Sequence, residues 1–529
     1  MEQQPLELAL TATTTDTRFF SELAARFPLG EAARAEVTAF YLDSFDWRLL
    51  RTGRCLCLER GQGGQQLIYL SLEGHQPPLA LPWAAPEPPR FPAELPEGPL
   101  RHALQPLLGL RALLPRVELR IAQGTAPLLD GEAKTRARVR LQHSTLVVPG
   151  KAPVALTDHV ALLPVRGYGE SLAELREWLT EALGLAPIAT PLLHEALERL
   201  GQGPGDYNPK LDLQFDPQQP AREVMRTVHL HLLQAIEANL QGVKADLDSE
   251  FLHDLRVAVR RTRSLLTQVK GVFAEEATAR FKERLAWLGN ITGLTRDMDV
   301  YLLKFDDYRQ SLPAAFQPHL DPLHDFLLAH KAGAHQALVR QLSGPEFLQL
   351  LREWRGFLGE PGGDGPTAKT PVTALAGRRI WRMFRRVRDQ GEALRADSSP
   401  EALHELRKSC KKLRYLMECF HSLYPKEEVQ SSIKAVKLLQ EHLGDYQDLA
   451  VQAEKLREFA RQMTAEGRVP ADTLLAMGML VDGLLRQQQA LRQRLAPRVA
   501  EFVARPNARR FRALFHPKKR GDDADPGPV

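Results

Sequence analysis

At 529 residues, the chain is longer than a single hydrophobic core usually supports, which predicts several domains. A hydrophobic content of 43% and a charged content of 26% exclude a chain that is disordered throughout. The chain start lacks a basic region followed by an apolar stretch, and no run approaches the ~18 apolar residues that a membrane helix needs. We therefore expect a soluble, cytoplasmic protein.

The N-terminal part is predicted to be rich in strands. Its alternating segments are residues 6–12, 55–60, 66–72, 115–121 and 135–141. Prolines crowd residues 76–99, which can form neither a long helix nor a central strand. Helical spacing returns at 170–184 and 190–200. We therefore predict a first domain over residues 1–200.

A Gly-, Pro- and Asp-rich stretch at 201–220 lacks helical periodicity and predicts a linker. From 221 to 515 nearly every segment has helical spacing, followed by a tail at 516–529. A Gly- and Pro-containing break divides the helical region into halves of about 221–358 and 372–515. The sequence therefore predicts an α+β protein, in which an antiparallel β-barrel or tunnel-like domain precedes an all-α duplicated helical bundle.

The two helical halves repeat in sequence. Residues 253–263, HDLRVAVRRTR, align with HELRKSCKKLR, which begins at His404, 151 residues later. Residues 293–300 align in the same register with the segment that begins at Gly444. Two separate motifs at one offset indicate an internal duplication.

Each copy of the first motif forms a helix with one basic face. At 100° per residue, His253, Arg256, Arg260 and Arg263 fall within an arc of about 80°, and the equivalent residues of the second copy do the same. The opposite faces are apolar, with Leu255, Val259, Leu266 and Val269 on the first helix and Leu406, Leu413, Leu416 and Phe420 on the second. Such faces can be merely solvated, but like charges at these spacings repel each other. Their recurrence favours an anion site.

More cations flank these faces, in the segment RRIWRMFRRVR, which begins at Arg378, and in SSIKAVKLLQ, which begins at Ser431. The basic tail at 508–520 is interpreted as a frayed end. Either histidine of the motif could instead serve as a hydrogen-bonding residue at its helix start. The predicted polyanion-binding residues are His253, Arg256, Arg260, Arg261, Arg263, Arg378, Arg382, Arg385, His404, Arg407, Lys411, Lys412, Arg414, Lys434 and Lys437.

The residue types favour phosphate as the anion. Guanidinium groups bind phosphate through paired hydrogen bonds, and ammonium groups bind it as point charges. Recognition of nucleic acid would require exposed aromatic residues among the cations, and Tyr415 and Trp381 are the nearby aromatics. A ligand made of phosphate alone therefore fits better than one with bases.

Residues 221–515 resemble the CHAD domain, the conserved histidine α-helical domain. The resemblance is carried by H-x-x-R-V-x-x-R-R-x-R-S at 253–264, by H-x-x-R-K-x-x-K-K-x-R-Y at 404–415, and by the Gly- and Asp-containing segments that include Asp297 and Asp448. It implies two bundle halves around a pseudo-twofold, a basic central groove that binds inorganic polyphosphate, and placement at polyphosphate granules. We expect both aspartates to position the basic side chains.

Residues 1–200 resemble a degenerate CYTH domain, the triphosphate tunnel fold. The family strand E-x-E-x-K corresponds to PLELA, which retains Glu7 but has Pro5 in place of the other glutamate and Ala9 in place of the lysine. Where the family alternates arginines, this chain has Cys57 and Glu59. The remaining candidates for the tunnel are Glu7, Glu118, Arg120, Arg136, Arg138 and Arg140.

A tunnel that hydrolyses triphosphate needs clustered carboxylates for a metal and clustered cations for the substrate. Loss of both predicts a non-catalytic domain without catalytic residues, metal ligands or cofactor. The alternative is a triphosphatase or polyphosphatase that depends on Mg²⁺ or Mn²⁺, with the helical domain holding the substrate.

Four cysteines, Cys55, Cys57, Cys410 and Cys419, are too few for a disulfide framework and are predicted to be reduced core residues. The net charge of +5 is uneven, because residues 1–210 carry about 21 basic and about 24 acidic residues. The remaining excess of positive charge lies in the helical region and indicates an acidic partner there.

Overall fold

The computed structural model describes residues 6–10, 15–72, 77–165, 168–188, 190–360, 362–395, 397–467 and 469–516. The chain forms two compact units, Met1–Asn208 and Pro209–Val529. The division falls inside the predicted linker. The fold class is confirmed, since an antiparallel sheet unit is followed by a helical unit.

The first unit contains one antiparallel sheet. Its strands are β1 (Leu6–Leu10), β2 (Ala33–Asp43), β3 (Arg54–Gly61), β4 (Gly64–Ser71), β5 (Leu79–Pro82), β6 (Leu114–Leu129), β7 (Thr135–Leu146), β8 (Val154–Ala155), β9 (Asp158–Pro164) and β10 (Ala186–Pro187). The pairing order is β10-β1-β9-β7-β6-β2-β3-β4-β5, and β8 also pairs with β7. All five strand predictions fall on strands, although Thr11 and Ala12 of the first lie outside the described residues. The proline-rich segment holds β5, at one end of the pairing order, where proline is tolerated.

Four helices of this unit are α1 (Asp16–Ala24), α2 (Pro99–Leu108), α3 (Gly169–Ala182) and α4 (Leu192–Leu200). These helices pack on the sheet through separate apolar clusters. Helices α1 and α3 contribute Phe19 and Leu175 to a cluster with Val139 of β7. Helix α2 covers the side of β3 that carries Leu56 and Leu58.

His143 of β7 joins three elements of this unit. Its Nε2 lies 2.8 Å from Oδ1 of Asp16 at the start of α1, and its Nδ1 lies 2.9 Å from Oδ2 of Asp158 in β9. Burial lowers the pKa of His143, but the hydrogen bonds to both carboxylates outweigh that effect and raise it above its ordinary value. His143 therefore links α1 to the sheet, and its protonated form is favoured by both carboxylates.

The second unit is helical from Ala221 to Phe515, as predicted. The first half contains α5 (Ala221–Lys244), α6 (Ser249–Gln268), α7 (Glu275–Ile291), α8 (Gly293–Leu303), α9 (Phe305–Gln310), α10 (Asp321–Ser343) and α11 (Pro345–Gly359). The second half contains α12 (Val372–Glu392), α13 (Pro400–Cys419), α14 (Lys426–Ala465), α15 (Ala471–Val503) and α16 (Arg505–Phe515). Helices α5, α6 and α7 begin 151 residues before α12, α13 and α14, respectively.

The predicted apolar faces of α6 and α13 are confirmed, since their eight apolar residues are all buried. Side-chain oxygens cap both helices. The Asp248 carboxylate accepts hydrogen bonds from backbone N–H groups of the first turn of α6, and Ser399 does the same for α13. Because the apolar faces point into the core, the predicted basic stripes of α6 and α13 lie on their other sides. The four cysteines are buried free thiols.

One histidine lies inside the core of the helical unit. His229 of α5 is wholly buried, and its ring centroid lies 5.3 Å from that of Trp354 and 5.9 Å from that of Phe273. Burial lowers its pKa to about 3, so this histidine is neutral at ordinary pH. Among the described residues, no helix is long and apolar enough to cross a membrane.

Candidate functional site

A cleft of ≈ 400 Å³ in the helical unit is lined from both halves, and we call it the shared cleft. It contains six arginine or lysine residues and two aspartates, so its net charge is positive. The lining residues are His253, Arg256, Arg260, Arg296, Asp297, Val300, Tyr301, Lys304, Arg407, Asp448, Val451, Gln452 and Lys455.

Ten of these residues form five pairs at the 151-residue offset. The pairs are Arg256 with Arg407, Asp297 with Asp448, Val300 with Val451, Tyr301 with Gln452, and Lys304 with Lys455. Equivalent positions of the two halves therefore meet in one cavity.

Arg256 and Arg296 are held in place by neutral partners. Nη1 of Arg256 donates to the Gly289 carbonyl at 2.9 Å and to the Thr292 hydroxyl at 2.6 Å. Nη2 of Arg296 lies 3.0 Å from Nδ1 of His253, which must accept because guanidinium only donates. Burial, and then the neighbouring Arg260, lower the pKa of Arg256. These cations are fixed but not neutralised by these contacts.

The two aspartates accompany the motif arginines. Arg407 donates from Nη2 to Oδ1 of Asp448 at 2.8 Å, which is the positioning contact expected for that aspartate. Burial raises the pKa of Asp297 although Arg256 and Lys455 lie near enough to oppose it. Two carboxylates against six cations leave the shared cleft electropositive.

The pKa of Lys411 responds to this excess of positive charge. Its pKa falls from the ordinary 10.5 to about 8, first because burial disfavours the ammonium group and then because Arg407 and Arg260 repel it. Arg260 belongs to the first half and Arg407 to the second. The predicted basic faces of the two halves therefore act on the same ammonium group.

A second cationic cavity of ≈ 650 Å³ lies beside α12, and we call it the α12 groove. It brings together the predicted residues Arg382, Arg385 and Lys412. Lys412 has a lowered pKa, first because of burial and then because of repulsion from Arg386. The lining residues are Thr267, Gln268, Lys270, Arg379, Arg382, Met383, Arg385, Arg386, Asp389, Gln390 and Lys412.

The structure gives other predicted residues different surroundings. Arg261 and Arg414 both pair with Glu418, at 3.0 and 3.4 Å, so a carboxylate balances their charge. Arg263 is half-buried, with its guanidinium close to Gly289 of α7. Four further predicted residues are exposed outside the shared cleft and the α12 groove, namely His404, Arg378, Lys434 and Lys437.

Sequence reasoning missed part of the shared cleft. Arg296, Lys304 and Lys455 were not predicted, although all three belong to or directly follow the second repeated motif. Lys304 and Lys455 are themselves 151 residues apart, and extending the alignment by four residues would have found them. Tyr301 also lines the cleft.

In the sheet unit, the surviving tunnel candidates divide between the two faces. Glu7 is opposite Ala161, which is opposite Arg140, so both charged residues share one face. Glu118 and Arg120 alternate with Leu119 along β6 and lie on the other face. Arg136 and Arg138 alternate with Ala137 along β7 and lie on the same face as Arg140, so four of the six candidates share one face.

An apolar cluster covers part of the face that carries Glu7. Leu119 of β6 and Cys57 of β3 form a buried cluster there with Leu193 and Leu197 of α4. Asp43 at the end of β2 has a structural role, because its carboxylate accepts hydrogen bonds from the backbone N–H groups of Ser44, Leu49 and Leu50. It thereby holds the turn that follows β2.

Comparison with known proteins identifies the helical unit. The family model for the CHAD domain matches residues 227–457, so the chain contains a CHAD domain there. An uncharacterized protein of Mycobacterium tuberculosis is 28% identical over 345 residues, which cover 61% of this chain and 63% of that protein. The chain thus spans less than two thirds of the length of this curated relative.

Comparison with solved structures gives partial matches. The CHAD domain from the plant Ricinus communis is 23% identical, with a TM-score of 0.46, and the match covers 56% of this chain and 97% of that one. A putative adenylate cyclase from Bacillus halodurans is 15% identical, with a TM-score of 0.26, and covers 38% of this chain and 99% of its own.

Proposed function

We propose that this protein binds inorganic polyphosphate in the shared cleft. The observation that carries the proposal is the meeting of five equivalent residue pairs from the two halves in one electropositive cavity. The low pKa of Lys411 supports it, since burial is the main cause but repulsion from Arg407 and Arg260 adds to it, and a bound polyanion would relieve that repulsion. The 151-residue offset of both helix starts and cleft residues supports a duplication around a pseudo-twofold.

The chemistry of the cleft favours a chain of phosphates over nucleic acid as the ligand. Arg256, Arg260 and Arg407 provide planar guanidinium forks, which suit bidentate contacts with phosphate oxygens. Stacking against bases needs exposed rings, whereas Tyr415 is buried and Tyr301 is only 4% exposed. A linear chain of phosphates matches a cleft that offers cations from two sides and few aromatic faces.

We propose that the sheet unit does not catalyse hydrolysis. Among the described residues, no group of three or more histidine, cysteine, aspartate or glutamate side chains is placed to hold a metal ion, which argues against a metal-dependent triphosphate site. The apolar cluster under α4 supports the same view. The protein would then bind its ligand without a metal or another cofactor, in the cytoplasm, where polyphosphate could place it at granules.

Competition between polyanions tests the proposal. Full-length protein is first saturated with labelled long-chain polyphosphate at ~150 mM salt. Unlabelled polyphosphate, single-stranded DNA or single-stranded RNA is then added as competitor. Polyphosphate should displace the probe at a much lower concentration of phosphate groups than either nucleic acid. Equal displacement would contradict a phosphate-specific cleft. Phosphate release with Mg²⁺ or Mn²⁺ that disappears in the Glu7→Ala variant would instead establish the triphosphatase alternative.

A further inference from the structure

The α12 groove continues the basic stripe of α6 beyond the shared cleft. Arg260 lines the cleft and Thr267, seven residues later on the same side of α6, lines the groove. Seven residues of helix correspond to about 10 Å. On α13, Lys412 of the groove directly follows Lys411, whose pKa responds to the cleft cations. A ligand that leaves the cleft along α6 therefore reaches the groove.

The groove is more cationic than the cleft. It contains six arginine or lysine residues and one aspartate, Asp389, which lies 3.1 Å from Arg388. Burial lowers the pKa of Arg379, and repulsion from Arg382 and Arg378 lowers it further. Such a cluster of cations favours a ligand with dense negative charge.

The other half lacks this surplus of cations at the equivalent positions. The residues 151 positions away in the other half are His231 for Arg382, Gln234 for Arg385, and His421 for Lys270. Lys412 corresponds to Arg261, whose charge is balanced by Glu418. The counterpart positions therefore carry less unbalanced positive charge than the groove.

A segment of the chain itself occupies the counterpart positions. Residues 209–216 have no regular secondary structure. Arg261 donates to the Pro209 carbonyl at 2.8 Å, and Nε2 of His231 lies 2.9 Å from the Lys210 carbonyl. Nε2 of His421 lies 3.5 Å from Oδ1 of Asp212. Three residues equivalent to lining residues of the groove are thus already in contact with protein.

Carboxylates reinforce this difference. Glu418 stands at the position equivalent to Thr267, on the stripe of α13 that leads out of the shared cleft. A polyanion leaving along α13 would meet Glu418 and Asp212, whereas one leaving along α6 meets Thr267 and the arginines of α12. A polyanion is therefore repelled by carboxylates along α13 and attracted by arginines along α6 and α12.

We infer that the α12 groove is a one-sided extension of the polyphosphate site, so that long chains run from the shared cleft along α6 and onto α12. This inference rests on the proposed function of the shared cleft. It predicts that short phosphates bind in the cleft alone and that long chains gain additional affinity from the groove. Binding is then directional, although the cleft itself is built from equivalent halves.

The test introduces a carboxylate into the α12 groove at the position equivalent to Glu418. Thr267→Glu places the residue type of Glu418 at the groove, and Thr267→Gln is the matched neutral control of similar size. Both full-length variants and wild type are titrated with tripolyphosphate and with long-chain polyphosphate at ~150 mM salt. We expect Thr267→Glu to bind the long chain about fivefold more weakly than Thr267→Gln, since two unit charges about 4 Å apart in water interact by about 1 kcal/mol. Tripolyphosphate affinity should be equal in the two variants.

A second variant keeps the inference testable if Thr267→Glu fails to fold. Arg382→Ala combined with Arg385→Ala should reduce the salt slope for long chains by about two units and leave tripolyphosphate binding unchanged. Long-chain binding equal to that of wild type would overturn the extension. Equal loss of both ligands would overturn it too, because the groove would then be part of the primary site. Absence of binding of either phosphate by wild type would instead refute the proposed function itself.

Discussion

Polyphosphate binding should weaken at alkaline pH because of one lysine. In the unliganded protein the pKa of Lys411 is about 8, because burial, Arg407 and Arg260 disfavour its ammonium form. A polyanion bound in the cleft would oppose the repulsion from Arg407 and Arg260 and would raise that pKa toward the ordinary 10.5. Binding above pH 8 therefore requires uptake of a proton by Lys411.

The expected size follows from the position of this pKa. At pH 9 roughly 90% of unliganded Lys411 is neutral, so affinity should fall about tenfold from pH 7, which is about 1.4 kcal/mol. Lys411→Arg keeps its charge at both values of pH, since guanidinium does not deprotonate in this range. The variant should lack the tenfold decrease while retaining any pH dependence that belongs to the ligand.

Isothermal titration at pH 7 and pH 9, with constant ionic strength, measures both effects. Repeating the pH 9 titration in buffers with different ionisation enthalpies should reveal uptake of nearly one proton by wild type and of fewer by Lys411→Arg. If wild type and Lys411→Arg lose the same affinity between the two pH values, Lys411 is not part of the binding site and the reasoning is refuted.

Three further predictions concern stability, each measured by urea unfolding. Because burial lowers the folded-state pKa of His229 to about 3, wild type should lose about 2 kcal/mol from this group between neutral pH and pH 5, and His229→Phe should lack that loss. The raised pKa of His143 predicts the opposite dependence, since its contribution is present below the unfolded-state pKa and disappears as pH rises through the folded-state value. His143→Gln should therefore destabilise more at pH 6 than at pH 9, and an equal effect at both would contradict the ionic link. Gly242→Ala would place a methyl carbon 2.2 Å from the Phe251 ring and should destabilise by about 1–3 kcal/mol, whereas Gly356→Ala, which meets nothing within 4 Å, should be neutral or slightly stabilising.

Much of the helical unit could be predicted from periodicity. Residues Leu255 and Leu406 repeat at positions that must face a core, and the offset of 151 residues fixed which cations correspond. The offset could not show that Arg256 and Arg407 line one cavity, because that depends on how α6 and α13 pack. Nor could charge patterning show that Arg261 faces Glu418, since 157 residues separate them.

The sheet unit was harder to interpret from sequence. Alternation predicted strands at Glu118 and Arg138, but which charged residues share a face depends on strand register, and register is set by pairing across the sheet. The apolar cover provided by Leu193 and Leu197 of α4 was likewise invisible, because a short amphipathic helix does not reveal which surface it packs on.

The salt dependence of polyphosphate binding tests the central claim most directly. Arg260 lines the shared cleft, whereas Lys434 is an exposed cation outside both cavities and serves as a matched control. Titrating long-chain polyphosphate over a series of salt concentrations should give a slope about one unit smaller for Arg260→Ala than for wild type, and an unchanged slope for Lys434→Ala. Equal reductions in the two variants would show diffuse attraction to a basic surface and would contradict a defined binding cleft.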